Sequence, residues 1–149
     1  MNKYLLERAA DVLLVVGDFG ELRQIRDSLH EAKVKNRLHH VGDAAEASSY
    51  MRREGPYMYA PIPGLVLLDA SLPRTSVVDF IAQLKSDAQF AGIPVIVLVG
   101  SASELQLIEN CRYAVDGSIQ KPFNLAELVR ILISVDTMSF LLVQSAAAR

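Results

Sequence analysis

Three short runs constrain this chain more than any other feature: VLLVV at 12–16, LVLLD at 65–69 and PVIVLV at 94–99. Each is apolar at nearly every position, not at alternate ones, and rich in β-branched residues. A strand needs such a run when both its faces are covered, and sheets covered on both faces are parallel. Leu38–Val41 and Gly117–Gln120 read as two weaker strands. The segments between are amphipathic. Over 21–34, Leu22, Ile25, Leu29 and Ala32 fall three or four apart and mark one helix face. Helices are also predicted over 43–53, 77–90, 103–113 and from Leu125 onward. The order is β-α five times over. Right-handed crossovers then put helices on both sides, so the expected fold is α/β, a doubly wound five-stranded parallel sheet. Breaks fall at Gly17 to Gly20, in the proline-bearing loop Gly55–Gly64, and at Pro73, Pro94 and Pro122.

Length and charge narrow the partners. A chain of 149 residues suits one domain. The expectation is a single unit over 1–149, with a core from about 11 to 136 and a C-terminal helix extension and tail over 137–149. Fifteen Lys and Arg against 17 Asp and Glu leave a net charge of −2. That mild acidity argues against a nucleic-acid or anionic-membrane partner, both of which call for a basic patch. Glu7, Arg8 and Asp11 interrupt the start, so no signal peptide is expected, and no apolar run reaches the ~20 residues of a membrane span. The single cysteine, Cys111, excludes a disulfide framework and fits a reducing compartment. A cytoplasmic domain is the expectation.

In an open parallel sheet, ligands gather beyond the carboxyl ends of the strands. There the sequence places Asp18 after strand 1, Asp69 at the end of strand 3 and Lys121 after strand 5. Two carboxylates held close repel unless a cation lies between them, and a hard divalent ion suits them. An Asp can itself attack a phosphoryl group, and a lysine opposite it would neutralise the phosphoryl oxygens. Each residue also has a simpler reading. A strand-ending Asp can form a turn, an Asp before a helix can cap it, and a lysine before proline can be merely solvated.

Taken together, LLVVGDFGELRQI (13–25), GLVLLDASLP (64–73), IPVIVLVGSASE (93–104) and IQKPFNLAEL (119–128) resemble a bacterial response-regulator receiver domain. The resemblance implies the CheY-like, flavodoxin-like (βα)5 fold with strand order 2-1-3-4-5. It implies a phosphorelay role in two-component signal transduction, with Asp69 as phosphoacceptor and Lys121 as the partner lysine. Asp18, Asp69 and the Ser71 carbonyl would hold Mg²⁺, and a sensor histidine kinase would be the donor. The insert Gly55–Gly64 resembles stand-alone receivers linked to phytochrome-type kinases, so no output domain is expected.

The pattern is incomplete. Such families carry two adjacent acids after strand 1, and the first is Gly17 here. Val99 replaces a strand-4 hydroxyl, Ser118 an aromatic residue three before the lysine, and Ser76-Val77 the usual Asp-Gly. One acid fewer weakens Mg²⁺ binding. A lost charge-assisted bond from the hydroxyl is worth ~1.5–3 kcal/mol. Without hydroxyl and aromatic ring, the element that reports phosphorylation is missing. The competing reading is therefore a phosphorylation-independent docking or dimerisation module. An enzyme is not expected. A flavin phosphate would be repelled by Asp18 in the first loop, and an aspartate-based phosphohydrolase would want an acid where Ser71 sits.

Three other features complete the reading. The apolar run Thr137–Val143 either folds back onto its own core or marks a homodimer or kinase contact, and a homodimer is expected through the C-terminal helix or through the face of helix 4, strand 5 and helix 5. His39 and His40 alternate along a strand and cannot share a metal. Cys111 is expected mid-helix, as a small core residue.

Overall fold

A computed structural model describes residues 10–134. In chain order the elements are β1 (Val12–Val15), α1 (Phe19–Glu31), β2 (Leu38–Val41), α2 (Ala44–Arg52), β3 (Leu65–Asp69), α3 (Arg74–Ser86), β4 (Val95–Val99), α4 (Ala102–Glu109), β5 (Gly117–Gln120) and α5 (Leu125–Ser134). A single 3₁₀ turn, Gly55–Tyr57, lies in the loop before β3. All strand pairs are parallel, in the order β2-β1-β3-β4-β5.

The apolar runs divide between the two faces of the sheet, because successive side chains on a strand point opposite ways. Leu13, Val15, Val66, Leu68, Val95 and Val97 bury against Ala47, Tyr50 and Met51 of α2 and Val77, Phe80, Ile81 and Leu84 of α3. Val12, Leu14, Leu65, Leu67, Ile96, Leu98 and Ile119 bury against Leu22, Ile25 and Leu29 of α1 and Leu128 of α5. Every residue of β1, β3 and β4 is buried. At ~1.5–3 kcal/mol for each large apolar side chain, these three strands anchor the fold.

Helix ends differ from their sequence expectation where capping overrides periodicity. α1 starts at Phe19 instead of 21, since Asp18 caps it, and it stops at Glu31, with Lys33 in the left-handed region at φ 61°. α3 spans Arg74–Ser86 instead of 77–90; Pro73 precedes it and Asp87 is extended, so Phe90 reaches the core from the loop. α4 ends at Glu109 instead of 113, which moves Cys111 off the helix. Its thiol donates to Leu107 O at 3.3 Å, and the side chain is half-buried against the core. The two histidines do diverge: His39 Nε2 lies 2.9 Å from Asp11 Oδ1, and His40 Nε2 lies 2.8 Å from Val16 O. The expected extension over 137–149 falls outside the described residues. Among those described, no helix is long and apolar enough to cross a membrane.

Candidate functional site

Strand order decides which chain ends meet. β1 and β3 are neighbours, β4 follows β3, and β5 forms the edge beyond it. Asp69 ends β3, and Lys121 follows β5 directly, its amide donating to Val99 O at 2.8 Å. The two side chains meet across the end of β4. Lys121 Nζ lies 2.7 Å from Asp69 Oδ1, and Ser71 N donates to the same oxygen at 2.9 Å. Asp69 is only 1% exposed. A carboxylate so buried needs such partners to stay ionised. Burial pushes the Asp69 carboxyl up, but the Lys121 ammonium and the Ser71 amide outweigh it and hold the group below its usual value.

A further carboxylate reaches the same ammonium. Glu21, in the first turn of α1, places Oε1 2.7 Å from Lys121 Nζ. Its other oxygen, Oε2, is buried with no hydrogen-bond partner among the described residues. Burial raises the Glu21 carboxyl, Lys121 opposes that, and Asp69 adds to it. Lys121 itself is raised, since the two carboxylates outweigh its desolvation. The sequence reading passed over Glu21. Its one signal was the spacing Asp18-x-x-Glu21, which marks a helix start and carries no hint of a lysine a hundred residues away.

The structure brings Asp69, Lys121 and Ser71 together and gives Asp18 a different first task. Asp18 Oδ2 accepts from Glu21 N at 2.9 Å, so this exposed acid caps α1. It lines a cleft of about 430 Å³ with Glu21, Gln24, Lys121 and Phe123. At Gly17 a Cβ would lie 3.1 Å from Leu72 Cδ2 and 3.2 Å from Gly42 O, so the loop after β3 has closed over the place of the missing acid. Val99 is buried and offers no donor. Ser101 does not replace it, because its hydroxyl accepts from Glu104 N at 3.2 Å as the cap of α4. Ser118 is exposed on β5, beside an open groove lined by Val99, Leu105 and Gln120.

Five parallel strands in this order, with helices on both faces, agree with what comparison with known proteins finds. The family model for the response regulator receiver domain matches residues 13–133. The chain belongs to that family. It is 26% identical over 126 residues to response regulator Rcp1 of Synechocystis sp., covering 85% of this chain and 86% of that protein. Among solved structures, the bacteriophytochrome response regulator RtBRR superposes with a TM-score of 0.78 at 25% identity, over 92% of this chain and 83% of that one. The phosphorylated cyanobacterial phytochrome response regulator RcpA superposes with a TM-score of 0.67 at 31% identity, over 85% and 90%. Receiver domains are signalling modules of two-component systems, and they bind Mg²⁺.

The residues of this receiver fit such an ion in kind. Mg²⁺ prefers hard oxygen ligands and takes one or two carboxylates while keeping waters. Asp69 and Asp18 are carboxylates of that kind, and Glu21 Oε2 is a buried oxygen with no hydrogen-bond partner among the described residues. Among the described residues, no three metal-ligating side chains already converge.

Proposed function

We propose that this receiver accepts a phosphoryl group on Asp69 from the phosphohistidine of a sensor histidine kinase and signals by changing its protein partners. The observation that carries the proposal is the buried Asp69 carboxylate 2.7 Å from Lys121 Nζ. An Asp69 oxygen forms the new P–O bond as the P–N bond to the kinase imidazole breaks, and the imidazole leaves with the electron pair. Being ionised, Asp69 has the free electron pair this attack needs. Lys121 then turns from the carboxylate to a phosphoryl oxygen, as a point charge. Asp18, Asp69 and the Ser71 carbonyl would hold Mg²⁺, which supplies positive charge against the phosphoryl oxygens. With Gly17 in place of an acid, that binding is weak. The reaction is stoichiometric signalling chemistry and belongs in the cytoplasm, where the kinase would present its phosphohistidine.

Intact-mass analysis after incubation with acetyl phosphate and Mg²⁺ tests this. The expected result is one added phosphoryl group that needs Mg²⁺ and is absent from Asp69→Asn. With a competent receiver run alongside, no adduct would discard the acceptor role. A phosphorylation-independent docking module would take its place, in keeping with the missing Val99 hydroxyl and the exposed Ser118.

A further inference from the structure

Four of the helices open on one pattern: Asp18-x-x-Glu21, Asp43-x-x-Glu46, Ser101-x-x-Glu104 and Asn124-x-x-Glu127. In each, the side-chain oxygen of the first residue accepts from the glutamate's own amide, at 2.9, 2.8, 3.2 and 3.0 Å. A glutamate at this place usually turns back to a backbone N–H ahead of the helix. Two of them do. Gly42 N donates to Glu46 Oε1 at 3.2 Å, and Gly100 N donates to Glu104 Oε1 at 2.8 Å, whereas Glu127 turns to Arg130 of its own helix, whose Nη1 donates to Oε1 at 2.8 Å. Glu21 reaches across the cleft to the end of β5, with Oε1 2.7 Å from Lys121 Nζ and Oε2 buried without a hydrogen-bond partner among the described residues. An unpartnered buried oxygen is a local cost. The Lys121 ammonium offsets it, so that ammonium is engaged from two sides at once.

We infer that Glu21 competes with the incoming phosphoryl group for the Lys121 ammonium, and so sets how readily Asp69 is phosphorylated. This rests on Asp69 being the acceptor. Glu21 takes no part in the bonds made and broken and is a positioning residue acting through Lys121, although its carboxyl also stands beside that of Asp69. One positive charge is shared between Asp69 and Glu21, each 2.7 Å away. As the Asp69 oxygen bonds to phosphorus and the donor's leaving group departs with its electron pair, the phosphoryl oxygens need that ammonium for themselves. Glu21 holds it back, and its own charge faces an anion. Glu21→Gln keeps the shape and one accepting oxygen but drops the charge.

The test is the rate of adduct formation with acetyl phosphate and Mg²⁺, followed by intact mass. Glu46→Gln serves as the matched control, since it alters the same helix-start pattern at a glutamate that binds Gly42 N and the Tyr57 hydroxyl and not Lys121. Glu21→Gln is expected to be ~3- to 10-fold faster than the parent, the effect of relieving a partly exposed ion pair. Glu46→Gln is expected to match the parent. With Lys121→Gln already in place, Glu21→Gln is expected to bring no gain. An adduct only in Glu21→Gln would support the competition most strongly. Equal or slower rates in Glu21→Gln, or the same gain without Lys121, would overturn it while leaving the acceptor role standing. No adduct in either the parent or Glu21→Gln would overturn both.

Discussion

Burial does different things to polar groups in this molecule according to whether a partner is supplied. Asp69 and Tyr50 are both almost fully buried, at 1% and 4% exposed. Asp69 has an ammonium and an amide, so it stays ionised despite its desolvation. The Tyr50 hydroxyl has no partner among the described residues, although its ring packs between His39 and Tyr57. Burial, with Asp11 adding to it, pushes the phenol up to about 12. The unfolded phenol ionises near ~10, so the neutral form is favoured in the folded state. The stabilising difference is fully present below pH ~10 and is lost as pH rises from there through about 12. Tyr50→Phe removes the unpaired hydroxyl. It should leave stability unchanged or raise it by up to ~1 kcal/mol in urea unfolding. The last tyrosine to ionise in an ultraviolet titration should also vanish. A loss above ~1 kcal/mol would mean that the hydroxyl has a partner after all. Asp69 was legible in the sequence because it ends a buried run. Glu21 was not, because its role depends on which way one side chain turns.

Among the elements, α5 shows how one helix serves two surfaces. Its inner side packs so close to β5 that a Cβ at Gly117 would lie 2.6 Å from Ile131 Cγ2, and glycine is what admits the helix there. Its outer side leaves Val129 39% and Ile133 80% exposed, one helical turn apart. A homodimer through the face of α4, β5 and α5, one of the two routes expected from the sequence, would use this outer side. Ile133→Asp should turn a dimeric parent into a folded monomer in light scattering, and equal masses for the two proteins would remove the face from consideration. Element type was readable from periodicity throughout, whereas element ends were not. Caps at Asp18 and Asp43, the extended Asp87 and the left-handed Arg53 set where helices start and stop. The apolar spacing that suggested α4 up to 113 comes from Cys111 and Tyr113 packing against the core from a loop.

At the scale of the whole molecule, function follows from strand order. Parallel strands in the order β2-β1-β3-β4-β5 send every carboxyl end to one rim, where residues 18, 69 and 121 gather from far apart in sequence. The sequence alone pointed to that rim, because three fully apolar runs dictate a sheet covered on both faces. It could not show that the Gly17 position is closed over by Leu72, or that α1 sends a glutamate to the lysine. Both depend on packing between distant segments. The result is a receiver in which the proposed acceptor Asp69 is paired with Lys121, while valine and serine stand at 99 and 118, where the resemblance led one to expect a hydroxyl and an aromatic ring. The most direct measurement is to locate the phosphoryl group itself. After acetyl phosphate and Mg²⁺, borohydride reduction would convert a phosphorylated aspartate to homoserine, and peptide mass spectrometry would read its position. The account predicts homoserine at position 69 and nowhere else. Reduction at Asp18 or Glu21 with Asp69 unchanged, or at no residue, would contradict it.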